Sequence, residues 1–152
     1  MTLSEAPSEN TSAAEFIDAP ARIASMGQSR GDHPAIIFKG EEISWREFGR
    51  HVDQVANALI SMGIKPEDKV AILASTSPAY AEMFVGVLRT GACVVPLSGM
   101  ASAEQLEVMI NDSDSRVLMI SDSMRELTSG FTDKLENLVP GGRIAADFEA
   151  DG

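Results

Sequence analysis

The sequence predicts an α/β fold: an N-terminal hairpin and helix, followed by βαβ units that build a parallel sheet with helices on both faces. Three observations predict it. Short apolar runs of strand length begin near residues 70, 93, 117 and 143. Helical patterns fill the intervals between them. The repeat of roughly 23 to 26 residues per unit suits right-handed crossovers between parallel strands.

The chain has 152 residues, about one domain, with 44% hydrophobic and 23% charged residues, the balance of an ordinary globular protein. Residues 1–15 open with "MTLSEAPSENTS", acidic and rich in Ser, Pro and Glu, with no basic start leading into an apolar stretch. They are expected to form a disordered acidic tail, not a signal peptide, and residues 16–152 to form the folded unit.

In "PAIIFKGEEISW" two extended runs, Ala35 to Phe38 and Glu42 to Trp45, flank Lys39-Gly40-Glu41, and Gly40 is placed for the positive φ of a tight turn. Ser44 and Glu47 have the spacing of a capping box. Phe48, Val52, Val55, Leu59 and Met62 then form one apolar stripe on a helix of about 17 residues, which Gly63 ends as a left-handed cap.

Val70 to Ala74 reads as a buried strand, and Ser77-Pro78 as the start of an apolar helix that runs to Gly91. "ACVVPL" reads as the next buried strand. A capping box at Ser102 and Gln105 opens a helix with Leu106, Met109 and Ile110 inward, and Ser115 to Ser121 forms a third strand. Met124, Leu127, Phe131, Leu135 and Leu138 suggest a helix bent near Gly130, and residues 143–148 a fourth strand.

Charge and composition exclude several function classes. The net charge of -11 repels phosphate backbones, so a nucleic-acid partner is not expected. A single cysteine, Cys93, rules out an internal disulfide and a cysteine metal cluster, and His33 and His51 lack ligand spacing. No apolar stretch reaches the ~20 residues of a membrane span, and a cytoplasmic chain is expected.

No residue pattern by itself marks an active site. The chain has neither G-x-G-x-x-G nor G-x-x-x-x-G-K-[ST]. "STSPAY" offers hydroxyls and a helix N-terminus to an anion, but Ser77 serves more simply as an N-cap. Cys93 stands in an apolar run that would keep a thiol unreactive. His51 beside the helix stripe reads as a surface or packing residue, and Met62, Met83, Met109, Met119 and Met124 as core filler. Asp112 and Asp114 in "NDSDS" read as a turn between helix and strand, not a metal pair.

From His33 to about Asp122 the chain resembles the N-terminal part of the adenylate-forming superfamily, which includes acyl- and aryl-CoA ligases, luciferases and the adenylation domains of peptide synthetases. The resemblance is carried by segments in register over about 90 residues. They are Ile43-Ser44-Trp45-Arg46-Glu47-Phe48, Gly63-Ile64-Lys65-Pro66-Glu67-Asp68-Lys69-Val70-Ala71, Thr76-Ser77-Pro78-Ala79, Thr90-Gly91-Ala92 through Pro96-Leu97, and Glu104-Gln105-Leu106 with Asp112-Ser113.

The resemblance implies an incomplete N-terminal subdomain of the adenylate-forming fold, and an ATP- and Mg2+-dependent ligase that joins a carboxylic acid to coenzyme A. The family's Ser/Thr/Gly-rich phosphate loop ending in Pro-Lys-Gly, its Thr-Glu motif, ribose-binding aspartate and late lysine are absent from the 152 residues. The chain therefore reads as a fragment truncated before the phosphate loop, inactive alone, holding no cofactor tightly and requiring the remainder of the ligase chain. Apolar surface left uncovered is expected to favour self-association.

Ser98, Gly99 and Met100 stand where relatives read "N-P", some with a following basic residue that meets the CoA phosphates. They are the expected ligand-bordering residues, although Met100 cannot bind phosphate by charge. A stand-alone, non-enzymatic α/β module that binds a ligand or partner is the alternative.

Overall fold

The computed structural model describes residues 17–146. The expected N-terminal tail of residues 1–15 and the last residues of the expected fourth strand lie outside the described residues.

A first helix, α1 (Ala19–Ser29), precedes every element the sequence pattern marks. Asp18 caps it, its Oδ1 accepting from the Ala21 amide at 3.0 Å, and Pro20 occupies its first turn. None of its residues is fully buried, and the cap Asp18 with Pro20 is the local start signal by which the sequence could have announced it.

β1 (Pro34–Phe38) and β2 (Glu41–Ser44) form an antiparallel ribbon. Lys39 and Gly40 both take positive φ, 51° and 87°, as a two-residue hairpin loop of matching twist requires. Glu41 therefore joins the second strand, and Trp45 opens the following helix.

In α2 (Trp45–Ser61) the Ser44 Oγ accepts from the Glu47 amide at 3.2 Å, and Phe48, Val52, Ala56 and Leu59 are buried. The helix ends at Gly63, φ 89°. Its amide donates to the Ile60 carbonyl at 2.9 Å, and the Ile64 amide to that of Leu59 at 3.1 Å. Leu59 and Ile64 then pack in one cluster, the apolar contact that accompanies such a cap.

β3 (Lys69–Leu73), β4 (Cys93–Pro96), β5 (Ser115–Ser121) and β6 (Arg143–Ala146) form a parallel sheet in the order β4-β3-β5-β6. Period-2 alternation divides the side chains of its central strands between the two faces. Val70, Ile72, Val117 and Met119 pack against Leu59 of α2 and Met83 and Val87 of α3 (Pro78–Arg89). Ala71, Leu73, Leu118 and Ile120 pack against Leu106 and Ile110 of α4 (Ala103–Asp112) and against Phe131. Strands covered on both faces explain the unbroken apolar runs in the sequence.

Helix joints are specified locally. Ser77 caps α3, its Oγ accepting from the Tyr80 amide at 3.2 Å. Ser102 and Gln105 make the full reciprocal box on α4. His51 bridges α2 to α3, with Nδ1 2.7 Å from Glu82 Oε1 and Nε2 2.9 Å from Arg50 Nη2. A guanidinium only donates, so Nε2 accepts and Nδ1–H donates to the carboxylate. His51 is a helix-packing residue.

Three expectations are corrected. Cys93 is exposed, because β4 is an edge strand whose two ends, Cys93 and Pro96, are exposed while Val94 and Val95 between them are half-buried. Met109 is 44% exposed on the outer side of α4. The expected bent helix after residue 122 is a 3₁₀ turn at Asp122–Met124, the four-residue α5 (Arg125–Thr128) and a second 3₁₀ turn at Thr132–Lys134. Its apolar residues still reach the sheet, since Phe131 is buried and Met124, Leu127, Leu135 and Leu138 pack around it. Between α4 and β5 the chain turns at Asp114, φ 55°, as "NDSDS" predicts.

Candidate functional site

Parallel strands bring all their carboxyl ends to one edge of the sheet. There the chain changes face. The connection from β3 to β4 runs through α3 on the α2 side, whereas the connections from β4 to β5 and from β5 to β6 pass through α4 and Phe131 on the other side. The neighbours β3 and β5 thus send their following segments to opposite faces. The crevice opened between them is where ligands bind in open α/β sheets.

Three hydroxyls meet in that crevice. Ser75, just after β3, lies 3.1 Å from the Oγ of Ser123, just after β5, and Ser123 lies 2.9 Å from the Oγ of Ser121. Ser121 is buried. Three hydroxyl protons serve two internal bonds, which leaves one O–H of the chain to donate elsewhere. Asp122 alongside is tied to Arg125, whose Nε donates to Oδ1 at 2.8 Å.

The loop after β4 borders the same edge. Leu97 continues the ladder, its amide donating to the Ile72 carbonyl at 2.9 Å, and its side chain is buried. Ser98 folds the loop back on itself: its Oγ accepts from the Met100 amide at 3.2 Å and its carbonyl from the Ala101 amide at 3.1 Å. Gly99 lies against Met124, so that a Cβ on it would stand 2.7 Å from the Met124 Cε. Met100 is 97% exposed. The fold thus places Ser98, Gly99 and Met100 together on the carboxyl edge, and the Gly99 contact joins them to the segment that carries the serines.

The serine cluster escaped sequence reasoning. Ser75 stands in "STSPAY", whose hydroxyls the sequence offers to an anion, and Ser121 looks like an ordinary polar stop, but only the pairing of β3 with β5 brings residues 75 and 123 into contact. Among the described residues, no group of three His, Cys, Asp or Glu side chains gathers as a metal site. No helix among them is long and apolar enough to cross a membrane.

Similarity to known proteins converges on one family. The family model "AMP-binding enzyme" matches residues 24–148. A linear gramicidin synthase of Brevibacillus parabrevis is 33% identical over 95 residues, which cover 62% of this chain and 1% of that protein. The fatty acid–[acyl-carrier-protein] ligase ScoC of Streptomyces coeruleorubidus is 29% identical over 89 residues, 59% of this chain and 17% of the ligase.

In fold, the chain is similar to the anthranilate CoA ligase AuaEII solved with anthranoyl-AMP, with a TM-score of 0.76 at 21% identity over 84% of this chain and 24% of that one. The coronafacic acid ligase of Pectobacterium brasiliense gives a TM-score of 0.79 at 19% identity, over 86% and 26%. The chain spans less than a fifth of these curated relatives and about a quarter of these solved ligases. On the family match over residues 24–148, this chain belongs to the AMP-binding enzyme family.

Proposed function

We propose that the chain is the N-terminal part of an ATP-dependent acid–thiol ligase, supplying scaffold and one wall of the ligand channel. The observation that carries this reading is the match of residues 24–148 to the AMP-binding enzyme family, with the sheet's carboxyl edge formed as a ligand crevice. In the first half-reaction a carboxylate oxygen attacks the α-phosphorus of ATP, forming the acyl-adenylate and expelling pyrophosphate. In the second, a thiol attacks the acyl carbon and AMP leaves. Coenzyme A is the acceptor we favour, and the acid is a carboxylic acid of unassigned type.

The chain lacks the phosphate loop by which its family holds Mg2+-ATP. Among the described residues no three His, Cys, Asp or Glu side chains gather to hold a metal on their own. We assign no catalytic step to this segment; both half-reactions fall to the remainder of the ligase chain. Residues 98–100 border the path of the acyl acceptor. Their loop carries no cation, and Arg125 nearby is bound to Asp122, so they meet the uncharged part of the acceptor.

Chemical-shift mapping of the chain with pantetheine tests this placement. The amides of Ser98, Gly99 and Met100 should shift, and Gly99→Leu should remove the response. Shifts confined to other surfaces, or none at millimolar pantetheine, would refute it.

A further inference from the structure

Helix α1 lies along α2 without fully burying any of its side chains. Pro20, Ile23, Ala24 and Gly27 recur at helical spacing and line a groove of about 490 Å³ whose opposite wall is α2. A space of that size suits a small molecule.

Gly49 also lines the groove. It stands inside α2, where glycine is among the least favourable residues, and a Cβ there would meet no other atom within 4 Å. Packing within the chain therefore does not demand a glycine at this position. Gly86 is the contrast: a Cβ there would lie 2.5 Å from the Val55 Cγ1, so close helix packing explains that glycine. What Gly49 supplies is depth in the groove.

The rim is cationic in a chain of net charge -11. Arg46 is paired with Asp32 at 3.0 Å, and Arg89 with the groove's aspartate, Asp53, at 3.3 Å. Arg50 makes no ion pair with a carboxylate among the described residues; its Nη2 lies 2.9 Å from the His51 Nε2. A planar guanidinium with remaining donors, beside an apolar trough, recognises a carboxylate on an apolar chain.

We propose that the groove between α1 and α2 binds a medium-chain carboxylate, with its head on Arg50 and its chain over Gly49 between Ile23 and Val52. This inference stands apart from the ligase reading, since the groove shares no residue with the carboxyl edge of the sheet.

Titration calorimetry and amide shift mapping with octanoate test it on the 152-residue chain. Saturable binding is expected, with shifts at Ala24 and Gly49. Arg50→Gln, a surface change that leaves the core intact, should weaken binding about tenfold or more, the worth of a charged hydrogen bond. Gly49→Leu should abolish it, and octanol should bind at least about tenfold more weakly than octanoate. Absence of octanoate binding, an unchanged Arg50→Gln variant, equal binding of octanol, or shifts clustered at residues 98–100 would each overturn the proposal.

Discussion

The Ser75 hydroxyl lies 3.1 Å from that of Ser123, joining the segments that follow two adjacent parallel strands. Ser123 also bonds to the buried Ser121. Ser123→Ala should therefore cost more than Ser75→Ala, because it strands the buried Ser121 hydroxyl. About 1–3 kcal/mol is expected for Ser123→Ala, and less than about 1 kcal/mol for Ser75→Ala. Urea unfolding of the two variants measures the difference; equal costs would show that Ser121 finds another partner.

Two helix glycines should respond oppositely to alanine. Gly86→Ala drives a methyl into Val55 at the α2–α3 contact and should destabilise by about 1–3 kcal/mol. Gly49→Ala meets open space and should stabilise α2 by about 0.5–1 kcal/mol. Thermal melts of the pair give the signs directly.

Exposure of Cys93 on the edge strand makes its thiol accessible without unfolding. A soluble disulfide reagent should label the native chain at a rate within about tenfold of the unfolded chain, since accessibility and thiolate fraction control thiol attack. Labelling that waits for denaturant would place Cys93 in the interior.

The outer side of α4 presents Val108, 66% exposed, and Met109, 44% exposed, with Ala101 in the same shallow patch. Such a patch should bind a hydrophobic dye and promote concentration-dependent association. Val108→Glu should reduce both, as read by dye fluorescence and sedimentation velocity. An equally associating variant would move the contact elsewhere.

Most elements whose specification is local are legible in the sequence, α1 with its Asp18 cap and Pro20 being the exception, and contacts between segments distant in sequence are not. β5 occupies Ser115–Ser121 as the sequence predicts, because a strand covered on both faces must be an apolar run with polar stops. Helix α2 and its glycine cap are legible for a similar reason: stripe, cap and stop all lie within one stretch of chain. The exposure of Cys93 is not legible, because rank within the sheet depends on pairing with β3, which the apolar run "ACVVPL" cannot express. After Ser121, Met124, Leu127, Phe131, Leu135 and Leu138 keep a spacing that predicts one helix. Short turns instead deliver the same side chains to the core. At the site, family resemblance alone marks the loop of residues 98–100. The Ser75–Ser123 contact requires the fold itself.

Acid-dependent ATP–pyrophosphate exchange by the purified 152-residue chain tests the central claim most directly. A segment that supplies scaffold and channel wall, without a phosphate loop, should show no exchange above the acid-free background across aromatic, fatty and small carboxylic acids. Exchange that rises saturably with any one acid would contradict the account and place adenylation chemistry within these residues.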